Sequence, residues 1–245
     1  MPRWLRSYLL MVKWGVLSSK PWLSLLGAVQ IMMTVGFVIG IGFFFPQIDS
    51  NIARYLVTGT PTLILLMMGL VVVPQMVANG RLEGTFDYIW SLPVPRMIFL
   101  AADASIYIVL TLPGIILALV IGAVYHDFTL QVSPLIIPTF LLVSMTGTFV
   151  GYAIALGAPR PQMANVATQI LVFVFMFFSP VVYPIEQLPG WLAAVHRVLP
   201  ILYMADLTRG SLTDLDVNMG MAFAITGAWC FVTFVFSYIV IKRRN

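Results

Sequence analysis

The stretch Asn79-Gly-Arg-Leu-Glu-Gly-Thr-Phe-Asp-Tyr-Ile-Trp-Ser-Leu-Pro-Val-Pro-Arg96 is a charged island between two long apolar segments. On a helical wheel Arg81, Glu83 and Asp87 fall on one side. Leu82, Phe86, Ile89 and Trp90 fall mostly on the other. Pro93 and Pro95 end the helix, because proline disfavours helical geometry in the residue before it. A helix of this kind lies along a membrane surface, with its apolar face in the interface and its charges in water. The plainer alternative is a solvated loop with an anchoring helix.

The flanks decide the class. Of the 245 residues, 60% are hydrophobic and only 9% are charged. Soluble domains are about a quarter charged, and mean hydropathy here is +0.99. The chain therefore reads as an all-α integral membrane protein in one domain, residues 1–245. Its single cysteine, Cys230, allows no intramolecular disulfide. The net charge of +4 reports topology, not nucleic-acid binding.

A spanning helix needs about 20 apolar residues. Six stretches qualify: Trp22 to Phe45, Arg54 to Ala78, Met97 to Tyr125, Ser133 to Ala158, Gln162 to Tyr183 and Val217 to Ile241. Pro61, Pro74, Pro113 and Pro138 predict kinks or local unwinding. Before the spans, residues 1–20 carry Arg3, Arg6, Lys13 and Lys20 among Trp4, Tyr8 and Trp14. That pattern reads as an interfacial helix, not a cleavable signal, with a basic tail as the alternative.

With both termini in the cytoplasm, Arg3, Arg6, Lys13, Lys20, Arg81, Arg96, Arg160, Lys242, Arg243 and Arg244 lie inside. Only Arg54, Arg197 and Arg209 lie outside. This bias sets the topology. Residues 184–216 then form the longest external connection. They are too apolar for a solvated loop and too short to span, so they read as re-entrant or interfacial helices. Glu186, Trp191, His196 and Arg197 belong to this region. His196 and Arg197 are expected in the outer headgroup layer, where His196 is a plain interfacial residue or a proton carrier.

Polar groups inside spans are informative. In the first span Gly27, Gln30, Thr34 and Phe37 share a face. In the fifth, Asn165, Gln169, Met176 and Ser179 do likewise. Such faces mark helix packing or line a pathway. Asp103 in the third span is a proton or ion site, or it pairs with a basic or amide group. Phe173, Phe175, Met176, Phe177 and Phe178 form an adaptable apolar surface, or face lipid and the bundle.

Other chemistry is missing from the sequence. It has no Gly-x-x-x-x-Gly-Lys-Ser/Thr loop for ATP. It has no His-Glu-x-x-His, and two histidines and one cysteine make a metal site improbable. There is no convincing Ser-His-Asp set. No matched pair of broken spans marks a secondary transporter, and no carbonyl run or charged ring marks a channel.

Arg81-Leu-Glu83-Gly84-Thr85 followed by Leu92-Pro93-Val94-Pro95-Arg96 resembles the segment between the second and third spans of ABC-2-type exporter permeases. The family's acidic-basic-acidic run before Gly-Thr lacks its first acid here. Phe178-Ser-Pro-Val-Val-Tyr-Pro-Ile-Glu-Gln-Leu-Pro-Gly-Trp191 is similar to the end of the fifth span and the re-entrant helices that follow. Pro200 to Arg209 looks like the stretch before the sixth.

The resemblance implies that residues 79–96 are a coupling helix that docks on an ATPase subunit. Arg81, Leu82, Glu83, Gly84, Thr85, Phe86 and Asp87 would form that contact. Leu82, Phe86 and Trp90 would seat it on its own subunit. It implies two ATP-binding subunits and a second permease, either an identical copy or a paralogue. ATP and magnesium would sit on the partner, with no cofactor in this chain and no catalysis of its own. Membrane lipids complete the surroundings, in a bacterial or archaeal-type plasma (inner) membrane. Gln30, Thr34, Phe37, Asn165, Gln169, Phe173, Met176 and Ser179 are the candidate substrate pathway. The expected substrate is a drug, an antibiotic or a lipid-like molecule. A lipid-linked polysaccharide is the alternative within the family, and a stand-alone secondary transporter or channel the alternative outside it.

Overall fold

The computed structural model describes residues 2–40, 43, 50–91, 94–127 and 129–243. Its described elements are all helical. Helix α1 (Arg3–Ser19) is followed by a 3-10 turn, Lys20–Trp22, and by α2 (Leu23–Val35), which widens into a π-turn over Gly36–Gly40. Helix α3 (Ser50–Met67) continues through a π-segment, Met68–Val72, into α4 (Val73–Leu82). Helix α5 (Thr85–Ser91) precedes α6 (Arg96–Tyr125). Then come α7 (Ile136–Gly157), α8 (Pro161–Phe178), α9 (Gly190–His196), α10 (Pro200–Leu212) and α11 (Met219–Arg243).

Five helical stretches are long and apolar enough to cross a membrane: Leu23–Gly40, Ile52–Leu82, Ile98–Tyr125, Ile136–Gly157 and Met219–Val240. The fifth expected span is α8, which is shorter than expected. Its helix stops at Phe178, not Tyr183, because Ser179 turns to extended geometry ahead of Pro180. The end of the first expected span, residues 44–45, and Pro93 lie outside the described residues.

Prolines act where the chain tolerates them. Pro74 has no N–H to bond back along the helix, and the turn before it opens into the π-segment. Pro61 and Pro113 stay inside continuous helices. Pro138 sits in the first turn of α7, where its missing N–H costs little.

The core lies around α3 and its π-segment, packed against α6, α7 and α10. Gly69, Gly147 and Gly151 let the π-segment and α7 meet backbone to backbone. A Cβ on Gly69 would meet the Gly147 backbone, and one on Gly151 would meet the Gly69 carbonyl. Small residues at crossings let membrane helices approach this closely. On its other side α7 packs along α11, where the rings of Phe149 and Phe234 lie 4.9 Å apart.

Helix α1 lies against the start of α6. The Tyr8 hydroxyl donates to Ser105 Oγ at 2.7 Å, while Trp4, Leu10 and Trp14 remain exposed. Trp and Leu on the free face of such a helix suit the membrane interface.

Candidate functional site

The island is two elements, not the one coupling helix expected within 79–96. Helix α4 runs to Leu82 and is capped at Glu83, and Gly84 takes φ +74°. This is the left-handed position that glycine fills after a helix end. Thr85 then starts α5, so the chain turns sharply between the second and third spans. Glu83, Gly84 and Thr85 are exposed on the turn.

Two residues differ from expectation. Leu82 does not seat the helix on its own subunit; it is 56% exposed. Arg81 points inward. Its Nη1 donates to Ala155 O at 2.8 Å and Ala158 O at 3.3 Å, at the C-terminus of α7. A guanidinium there satisfies the last carbonyls and complements the helix dipole. The side chains of Phe86, Asp87 and Trp90 lie outside the described part of the structure.

Among the described residues Asp103 has neither a basic nor an amide partner. Its Oδ2 accepts from the Tyr152 hydroxyl of α7, and Tyr107 lies beside the same carboxylate. Tyr107 also reaches Met76 Sδ on α4 at 3.4 Å. The first turns of α6 are thus tied to α1, α4 and α7.

The first-span residues turn into the bundle. Gln30 Nε2 donates to Leu110 O at 2.7 Å, and Thr34 Oγ1 donates to Gly114 O at 3.5 Å. Gly114 leaves the room that Gln30 takes at this crossing, since a Cβ there would stand 2.7 Å from Gln30 Oε1 and make the side chain shift. Gln30, Thr34 and Phe37 are buried within the chain. Their geometry is that of helix packing between α2 and α6, not of a face open to a second subunit.

The fifth-span residues divide. Gln169 is exposed beside Met163, Val166, Ile170 and Phe173, and Phe173 is 63% exposed. Asn165 Oδ1 and Ser179 Oγ are buried with no hydrogen-bond partner among the described residues. The Met176 side chain lies outside the described part. An apolar cavity of ≈ 190 Å³ lies between α3, α7, α8, α10 and α11, with Leu66, Leu70, Leu171, Phe175 and Trp229 in its wall.

At the opposite end from α5, residues 184–216 pack onto the bundle. Glu186, Trp191 and Arg197 are exposed. His196 is not in an open headgroup position. It is buried, with the Phe178 carbonyl at the end of α8 beside its ring. Burial pushes the imidazole below its usual pKa, and the Phe178 carbonyl opposes that shift.

Arg209, which sequence reading counted only as an outer basic residue, is fully buried on α10. It donates from Nη1 to Asp206 Oδ1 at 2.9 Å, and from Nη2 to Pro180 O at 3.1 Å and to Val181 O. Its guanidinium stands 4.2 Å from the Tyr55 ring centroid. Burial pushes the Asp206 carboxyl up, and the Arg209 charge pulls it back.

Apolar helices of crossing length, joined at one end by an exposed charged turn, define a multi-pass membrane protein. The chain belongs to the ABC-2 type transporter family, whose model matches residues 7–213. That family supplies the membrane permease component of ABC transporters and normally works with an ABC ATP-binding subunit. A comparison with curated proteins finds no match.

Proposed function

We propose that this chain is the membrane half of an ATP-driven exporter and that the turn at Glu83–Gly84–Thr85 is where its ATPase docks. One observation carries the reading. The turn joins the second and third spans and presents an exposed acid, a left-handed glycine and the exposed apolar Leu82 together. A carboxylate at a wet rim adds little affinity but sets register, and an apolar neighbour adds contact area. Two such permeases and two ATP-binding subunits make the working complex. With six spans, α8 included, both termini share one side, and the bias of basic residues favours the cytoplasm for them and for α5, with residues 184–216 outside.

Glu83→Ala is expected to leave the permease folded while it weakens docking. Co-isolation of the ATP-binding subunit should fall about threefold, equivalent to about 0.7 kcal/mol. The check is ATPase content and ATPase rate of complexes drawn from the host membrane through a tag on this chain. Unchanged values for both would reduce the turn to a surface loop.

The exposed face of α8 is proposed to meet the second permease. Gln169, a heptad after the exposed Gln162, is a polar group on that mostly apolar face, and in hydrocarbon an amide is better placed against protein or a wet cavity. In a Cys230→Ser background, Gln169→Cys should cross-link two copies, and Gln187→Cys should react with a reagent added outside. Cross-linking only through other faces, or protection of residue 187 and its neighbours, would overturn this arrangement. The apolar cavity and exposed Phe173 favour a hydrophobic or amphipathic substrate over a sugar polymer.

A further inference from the structure

Motion of the docking turn has an obvious covalent route into the second and third spans. We propose that it also enters the fourth span, α7, and that Arg81 and Asp103 are the positioning residues that make this connection. The inference rests on the docking role of the turn. The turn and α5 lie between two arms, α4 before and α6 after. Arg81, one residue before Leu82 ends α4, holds the carbonyls of Ala155 and Ala158. Asp103, two turns into α6, holds the hydroxyl of Tyr152. Both arms therefore grip the same end of one helix, with contacts less than two turns apart.

The chemistry favours a linkage over passive filling. The Arg81 contact has a cationic donor, and charge-assisted hydrogen bonds are the stronger and more directional kind. Arg81 reaches backbone carbonyls, so it grips the helix itself and not a side chain free to swing. Tyr107 connects the same cluster to Met76 of α4, which braces the two arms against each other. Helix α7 can pass displacement onward. It meets the π-segment through Gly147 and Gly151, and it meets α11 through Phe149, whose carbonyl accepts from Ser237 Oγ at 3.3 Å. Rigid, closely packed helices carry such displacements as units.

The test uses the native complex, isolated through a tag on this chain, and hydrogen–deuterium exchange with and without MgATP and vanadate. Trapping should change exchange both over residues 83–95, which hold the turn and α5, and over residues 152–162, which run from the end of α7 to the start of α8. In the Arg81→Gln/Tyr152→Phe double variant the response at 83–95 should persist and that at 152–162 should fall at least fivefold. Tyr152→Phe alone keeps the ring and its packing, and should lower the α7 response about twofold. Arg81→Lys keeps a charged donor and should retain most of it. A structural role alone would not separate the two segments.

An unchanged α7 response in Tyr152→Phe and in the double variant overturns the inference while leaving the docking site intact. If the double variant does not fold, Tyr152→Phe decides by the same criterion. If trapping changes nothing at 83–95 in the parent complex, the docking role of the turn fails, and this inference fails with it.

Discussion

Gly151→Val is expected to be among the most damaging single substitutions in the bundle. Its Cβ would fall on the carbonyl of Gly69, with Pro74 Cδ only 3.1 Å away. Neither neighbour is the loose end of a side chain. The π-segment would have to move away from α7, and Gly69 and Gly147 would lose their own close approach. Overpacking costs about 1–3 kcal/mol where side chains can shift, and more where they cannot. A loss of about 3 kcal/mol would lower the melting temperature by about 6–12 °C for a chain of this size. Gly227→Ala is the matching control, since nothing lies within 4 Å of the added methyl. It should be neutral or slightly stabilising, because alanine is the better helix former. Thermal unfolding of both variants in one detergent checks the pair. Equal melting temperatures would mean that α7 and the π-segment are not held by this contact.

The spans were legible because length and apolarity alone define a crossing helix. Ile98–Tyr125, Ile136–Gly157 and Met219–Val240 fall within a few residues of the sequence reading, and Leu23–Gly40 starts where the first span was expected. The break at Gly84 was also visible in principle. A glycine directly after the last turn of a helix is a standard stop, and the amphipathic wheel drawn across it obscured that signal. Gln30 and Thr34 were correctly placed on one face, but a single helix does not reveal what receives that face. The answer depended on Gly114 of α6, whose missing side chain makes the room. The basic or amide partner expected for Asp103 is missing among the described residues for a related reason. Acids are expected to seek cations, and here tyrosines from two spans surround it. His196 and Arg209 were the least legible. Their burial depends on carbonyls freed where α8 ends at Phe178, a boundary that composition placed five residues later.

Arg209→Met is expected to destabilise the α10 end of the protein by about 3–5 kcal/mol, the usual cost of removing one partner from a buried ion pair. The cause lies in what stays behind. The carbonyls of Pro180 and Val181 lose their donor, and Asp206 loses its cation. The face of Tyr55 loses a guanidinium whose attraction is about 0.5–2 kcal/mol. Asp206 retains some exposure, with 26% of its side chain open, so water recovers part of the loss. Arg209→Lys should fall between the two, because one ammonium cannot reproduce a planar fork that serves a carboxylate and two carbonyls together. Asp206→Asn added to Arg209→Met should restore part of the stability, since it removes the stranded charge but not the stranded carbonyls. Melting temperatures of the parent, both single variants at residue 209 and the double variant check this order. Limited proteolysis should follow it, with cutting between Pro184 and Pro189 fastest in Arg209→Met. A melting temperature within about 2 °C of the parent, less than 1 kcal/mol on this scale, would mean that the guanidinium does not hold α8, α10 and Tyr55 together.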